Sequence, residues 1–307
     1  MDYSTILVIG GSGFIGSHLV AQLVAAGRRV IVPTRRNDRA RHLLVLPTVD
    51  IVEANVHDDT TLGHLVQRAD AVINLVGVLH AKAGPRGSSY GPGFARPHVD
   101  LPKKIIRACE ANGVPRYLHM SALGAAANAP SMYLRSKAAG EAAVSSSATV
   151  ATTIFRPSVV FGPEDHFLNL FASLQKFLPV MLIGSPDAKF QPVYVVDVAL
   201  AFVNALENRA TFGKTFELAG PTVYTLRELV RLAGLYSGHR RPVIGLPPVL
   251  ARLQALLLEY MPGGPLMSRD NLASMQLDNV AAAPMDPHLK VTPTPLEAVA
   301  PFYLSVR

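Results

Sequence analysis

A tyrosine and a lysine stand four residues apart in the run MYLRSKAAGE, residues 132–141, a spacing that suits a proton-transfer pair. The run is made of good helix formers, so Tyr133 and Lys137 project from one helix face, about 6 Å apart along the axis, and can meet one ligand. A chain with 9 tyrosines produces this spacing by accident in roughly one case in four, so the pair has to be judged by what positions it. Ser121 lies upstream of the tyrosine, at the end of the apolar run RYLHMSA.

The positioning elements are legible as alternating strands and helices. TILVIGG (5–11), RRVIVPTRR, VDIVEANV (49–56), AVINLVG (71–77), RYLHMSA (116–122) and TTIFRPSVVFG (152–162) read as strands. SHLVAQLVAAG (17–27) and the segments 60–69, 100–112 and 133–147 read as helices. The strands are apolar without a period of two, which predicts a parallel sheet covered on both faces: an α/β fold of the Rossmann-type, doubly wound kind. After about residue 163 the pattern changes to helices and loops rich in proline and glycine, which predicts a small, mostly helical C-terminal lobe. The expected division is a dinucleotide-binding core over 1–162 and a substrate or partner lobe over 163–307, with segments near 190–220 returning to the core. The insertion AKAGPRGSSYGPGFARP (81–97) leaves the sheet where a ligand would bind, as a lid or as a plain surface loop.

GGSGFIG sets Gly10, Gly13 and Gly16 between the first strand and the first helix, with Phe14 and Ile15 inside the turn. The first glycine allows a tight turn, the second lets backbone approach a pyrophosphate, and the third lets helix and strand pack closely. Free amides at the positive helix end then face the phosphates. About 20 residues further on, where an acid would hold a ribose hydroxyl, stand Arg35 and Arg36. Guanidinium forks suit a 2'-phosphate, so NADP(H) is expected in preference to NAD(H), with a solvated basic turn as the alternative. Asn55 and Val56, after the third strand, are placed to meet an adenine edge.

At 307 residues, 49% hydrophobic and 17% charged, the chain is long and apolar enough for one or two globular domains. Its single cysteine, Cys109, excludes an internal disulfide and a multi-cysteine metal site, and fits a reducing compartment. His18, His119 and His166 show no metal-ligand spacing with acidic partners, so no metal is expected. The start carries no basic leader, and no run of about 18 apolar residues occurs, so a cytoplasmic protein without a spanning helix is expected. The net charge of +7, clustered locally at RRNDRAR, allows attraction to anionic membranes, nucleotides or acidic partners. Nucleic acid is not expected, because no reader motif is present. PVLARLQALLLEYM (248–261) has leucines recurring at three and four, and only Arg252 and Glu259 are charged. Such a helix covers a sheet or packs on a partner; peripheral membrane contact is the alternative, although interfacial helices carry more lysine and arginine.

Together these pieces resemble the extended or atypical branch of the short-chain dehydrogenase/reductase superfamily. More closely, VIGGSGFIGSHLV, VINLVGV, YLRSKAAGE, RPSVVFGPEDHFLNLFASL, FQPVYVVDVA, SRDNLASMQLDN and TPLEAV are similar, nearly end to end, to the nucleotide-binding accessory subunit family of respiratory complex I and its stand-alone bacterial relatives. The resemblance implies NADP(H) bound at Gly10, Gly13, Gly16 and Arg35, with Leu75 and Gly77 passing close by and Pro157 and Val159 near the nicotinamide. It also implies that Tyr133 exchanges a proton with a substrate oxygen. Lys137 would then hold the nicotinamide ribose and lower the phenol's pKa, and Ser121 would orient the substrate. Three departures count against turnover or narrow the substrate. His98 stands where enzymes of the extended branch carry asparagine, MSALGA offers no second polar group, and FLNLFASLQKFLPVMLIG gives a nucleotide sugar little to grip. The expected function is an NADP(H)-dependent oxidoreductase acting on a small apolar carbonyl or a quinone-like ring. The alternatives are a non-catalytic structural or assembly module, with a protein partner and a place at the periphery of the inner membrane, or an NAD(P)-dependent sugar epimerase or dehydratase.

Overall fold

Short β-branched runs separated by amphipathic stretches build the first half of the chain. A computed structural model describes residues 3–81, 89–261 and 266–305, so stretch 82–88 of the expected lid lies outside the described residues. In order come β1 (Thr5–Ile9), α1 (Phe14–Ala25), β2 (Arg29–Thr34), β3 (Val49–Glu53), α2 (Asp59–Gln67), β4 (Ala71–Asn74), α3 (Pro92–Ala95), α4 (Leu101–Asn112), β5 (Arg116–Met120), α5 (Met132–Val144) and β6 (Ala151–Pro157). Asp58 and Ser131 cap α2 and α5 by accepting from the Thr61 and Leu134 amides. Gly113, at φ 67°, ends α4 in the left-handed conformation that side chains resist. The end of the insertion is helix rather than loop, because α3, a π-helical turn at Arg96–Asp100 and α4 follow one another without a break.

The second half adds β7 (Val160–Phe161), α6 (Leu168–Phe177), β8 (Met181–Ile183), β9 (Lys189–Phe190), β10 (Val193–Tyr194), α7 (Val195–Leu206), β11 (Lys214–Leu218), β12 (Tyr224–Thr225), α8 (Leu226–Tyr236), β13 (Val243–Gly245), α9 (Pro248–Glu259), α10 (Arg269–Ser274) and α11 (Ala300–Leu304). Seven strands join in one sheet in the order β11-β6-β5-β4-β1-β2-β3, every neighbouring pair parallel. Ile6 and Val8 turn to one face with Leu19, Leu23 and Phe202, while Leu7 and Ile9 turn to the other with Leu65 and Ile105. Burial of both faces is why the strand sequences show no alternation. Cys109 packs in the second layer, where burial pushes its thiol up to about 12 and keeps it unreactive.

The remaining strands pair in twos, β7 with β10, β9 with β12 and β8 with β13, and pack with α6, α8 and α11 as a separate apolar cluster. Runs this short leave no period to read in the sequence. Among the described residues no helix is long and apolar enough to cross a membrane. A buried arginine, Arg116 at the start of β5, ties the sheet to α7. Its guanidinium donates to the carbonyls of Ala151, Ala205 and Leu206 and to the hydroxyls of Thr153 and Thr211, and it lies 4.3 Å from the centre of the Phe212 ring.

Candidate functional site

Parallel strands end on one edge of a sheet, so the residues just beyond those ends share a crevice. Gly10 follows β1 at φ 89°, and a Cβ there would stand 3.3 Å from the Leu75 backbone. A Cβ on Gly16 would collide with the Gly10 carbonyl oxygen and the Gly11 backbone, so only glycine lets α1 start this close to β1. Gly13 is the cap of α1, with no side-chain acceptor and no acid in the first turn. The first amides of α1 are thus uncovered by any side chain, and the turn fits a pyrophosphate. Phe14 and Ile15 open the helix, and the Phe14 ring lies against Gly162.

Arg35 and Arg36 follow β2. Arg36 donates through Nε and Nη2 to the Asp38 carboxylate, at 3.1 and 2.6 Å, so Arg35 is the better placed of the two to take a phosphate. Beyond β3, Asn55 Oδ1 accepts from the His57 amide at 3.2 Å, and Val56 packs against the second layer of the core. Burial, then the charges of Arg96, Lys104 and Arg35, hold the His57 imidazole below its ordinary pKa. Arg96 therefore belongs to the same basic corner. Nothing local in the sequence marks an arginine in a π-helical turn as part of that corner.

Of the other expected residues, Gly77 and the strand end at Ser121 meet Lys137 of α5, whereas Leu75, Pro157 and Val159 lie at or just beyond the ends of β4 and β6. The Leu75 amide donates to the Ile9 carbonyl at 2.9 Å, and a Cβ on Gly77 would come within 3.1 Å of Lys137 Nζ. Lys137 is buried and donates to the Met120 carbonyl at 3.1 Å, one residue before Ser121; its Nζ is 6.0 Å from the centre of the Tyr133 ring. The Ser121 amide donates to the Phe155 carbonyl at 2.7 Å, whereas its buried hydroxyl has no partner. Pro157 ends β6, and the Val159 amide just beyond it donates to Asn279 Oδ1 at 3.1 Å.

Burial pushes the Tyr133 phenol up to about 12, so at neutral pH it is a proton donor. Burial also takes Lys137 down to about 8, with Glu141 one turn on pulling the other way. The folded lysine thus releases its proton near pH 8 while the unfolded chain keeps it until the ordinary lysine range. Between those values the unfolded state binds more protons, and stability rises with pH. Lys137→Met is expected to flatten that rise. Urea midpoints measured from about pH 8 to 10 check this, and an unchanged slope in the variant would count against Lys137 as its source.

Two residues hold this arrangement in ways the sequence did not disclose. His98 Nε2 accepts from the Val78 amide at 3.0 Å, which places its proton on Nδ1, 2.8 Å from Ser136 Oγ; that hydroxyl donates to the Tyr133 carbonyl at 2.7 Å. Burial and the Lys137 charge take His98 down to about 2, so it stays neutral. The departure noted at this position is therefore a strut between the loop after β4 and α5. Asp270, at the start of α10, accepts from the Met132 and Tyr133 amides at 2.7 and 3.0 Å, supplementing the Ser131 cap and favouring the positive end of α5.

Residues 6–219 match the model of the NAD dependent epimerase/dehydratase family. The chain belongs to that family. It is 38% identical over 264 residues to NADH dehydrogenase (ubiquinone) 1 alpha subcomplex subunit 9, mitochondrial, of Arabidopsis thaliana, covering 83% of this chain and 63% of the relative. The protein of the same name from Mus musculus is 34% identical over 300 residues, covering 94% and 77%. The chain thus spans less than two thirds of the plant relative's length. A protein named ceramide reductase from Caulobacter vibrioides is 28% identical over 243 residues, covering 79% and 73%. Among solved structures, UDP-glucuronic acid 4-epimerase from Bacillus cereus, in complex with UDP-glucuronic acid and NAD, superposes with a TM-score of 0.67 at 19% identity over 98% and 99% of the two chains, a likeness of fold. The similarity to the respiratory complex I subunit family read from the motifs holds along the chain.

Proposed function

We propose that this chain binds NADP(H) across the carboxyl edge of the sheet and reduces the carbonyl of an apolar substrate. The observation that carries this reading is the Ser121 hydroxyl, buried without a partner and one residue beyond the Met120 carbonyl that Lys137 donates to. A buried hydroxyl left unpaired costs about 1–3 kcal/mol, and a substrate oxygen would satisfy it. Gly10, Gly13 and Gly16 would cradle the pyrophosphate, Asn55 and Val56 the adenine, and Leu75, Gly77, Pro157 and Val159 the nicotinamide end. The dinucleotide, when bound, supplies the hydride. Ser121 orients the substrate oxygen, Tyr133 gives it a proton, and Lys137 stabilises the phenolate left behind. The relative named ceramide reductase favours a lipid-like carbonyl.

The phosphorylated dinucleotide is preferred because Arg35 offers a guanidinium and the end of β2 offers no acid. Arg35→Ala is expected to weaken NADPH about tenfold and to leave NADH nearly unchanged, as befits the loss of one charge-assisted contact. Titration of both nucleotides by calorimetry checks it, and an equal loss for both would show that Arg35 does not read the extra phosphate.

A second reading is a non-catalytic nucleotide-binding module that docks on a larger assembly. The two relatives at 38% and 34% identity, both named as subunits of an NADH dehydrogenase, favour it more directly than the first. Purified protein should retain a nucleotide. Interchange of its oxidised and reduced forms on adding apolar carbonyls or quinones supports the reductase. A nucleotide that raises thermal stability but never interchanges supports the module.

A further inference from the structure

By itself α9 holds too few cations for an interfacial helix, but the fold brings others to it. β8 and β13 pair in parallel with Leu182 opposite Ile244, both exposed, and Gln254 of α9 donates to the Leu182 carbonyl at 2.8 Å, so the helix lies alongside this pair. Phe177, shortly before β8, is 85% exposed, and Val249 and Leu257 of α9 are 76% and 65% exposed, with Tyr260 at 74% just beyond. Only Ala251 and Ala255 of α9 are buried, against Leu272 of α10. Apolar side chains gathered like this on a folded surface mark an interaction face.

Cations border the same face. Arg241 Nε donates to the Gln175 carbonyl at 3.0 Å, which brings Arg240 and Arg241 to the end of α6 beside Lys176, and Arg252 stands on α9 itself. Within 176–183 and 240–261 the one acid is Glu259, and Arg269 holds it at 2.9 Å. The face therefore combines apolar anchors with an excess of cations: Glu259 is held by Arg269, and Asp187, beside β13, lies 3.8 Å from Arg227.

We propose that α9 and the β8–β13 pair dock this protein on an anionic lipid bilayer, the apolar side chains entering the acyl boundary and the cations meeting headgroup phosphates. The docking does not depend on turnover. It deepens the reductase reading because α10, packed on α9, carries the Asp270 that caps the helix of Tyr133. The docked face is thus joined through α10 to the helix that carries Tyr133.

The test is co-sedimentation of the full chain with vesicles of phosphatidylcholine alone and of phosphatidylcholine mixed with phosphatidylglycerol. Binding is expected to the mixed vesicles, to weaken with added salt, and to fall about tenfold or more when Leu253→Ser and Leu257→Ser are combined. Arg240→Ala and Arg252→Ala should each cost roughly fivefold. All four positions are exposed, so urea midpoints and NADPH affinity should stay as in the parent chain. The proposal is overturned if the parent chain sediments with neither vesicle, or if the leucine variant sediments as well as the parent. It is also overturned if the same leucines instead drive self-association in lipid-free ultracentrifugation, because the face then belongs to a second copy. Vesicle binding with no turnover on any acceptor would fault the reductase reading and leave the docking standing.

Discussion

Tyr133→Phe should lower NADPH-dependent carbonyl reduction by ~10²–10⁴-fold, the range that a positioned proton donor contributes, while nucleotide affinity holds. The substitution removes one oxygen and keeps the ring. That ring meets Phe94 and His98 edge-on, with centres 6.2 and 5.6 Å away, and phenylalanine can keep both contacts. Asp270 and Ser136 hold the backbone of residue 133 rather than its hydroxyl, so the helix should not move. Burial that pushes the phenol up to about 12 keeps the proton available across the physiological range. The measurement is kcat/KM on a carbonyl that the parent chain reduces, beside a fluorescence titration of NADPH. Retained turnover in the variant would remove Tyr133 from the chemistry, and lost nucleotide binding would recast it as a cofactor contact.

Arg116→Met should destabilise the fold by about 3–5 kcal/mol, the cost of removing one member of a buried, fully hydrogen-bonded charged network. Arg116 is fully buried, and its donors satisfy two carbonyls at the end of α7, one in β6 and two threonine hydroxyls. A cation at a helix C-terminus is favourable, and burial takes this one down only to about 10, so it stays charged at neutral pH. Methionine fills much of the space and removes the guanidinium donors from those buried oxygens, of which the Ala205 carbonyl keeps the Thr211 hydroxyl at 3.0 Å. Lysine should rescue only in part, because three donors on a point charge cannot replace five in a planar fork. Urea denaturation with an unchanged m-value checks both variants, and a loss below about 1 kcal/mol for methionine would mean that water enters and takes over the carbonyls.

Local signals were readable and distant ones were not. The glycine turn, the strand runs and the Tyr133–Lys137 spacing each depend on neighbours within one turn or one strand, and each falls where the sequence placed it. The strands are shorter than read, and the expected strand 152–162 splits after Pro157 into β6, in the large sheet, and β7, which pairs with β10 instead. The Arg36–Asp38 pair was legible from sequence alone, since the two residues stand only two apart. Asp270 could not, because it meets α5 from the far lobe, and no residue near it shows that it caps another helix. The cations beside α9 were hidden for the same reason. They are scattered in the chain and gather only when β8 and β13 pair.

The outermost strand of the large sheet, β11, comes from residue 214 onward and lies beside β6, which ends at residue 157. During translation β6 must therefore wait with an unzipped ladder edge while the intervening segment leaves the ribosome, a period in which wrong strand partners compete. The nucleotide-binding half is not a cassette that evolution or an engineer could cut out after β6. Its last strand, and the α7 helix that packs on it, are on loan from the other side of the molecule.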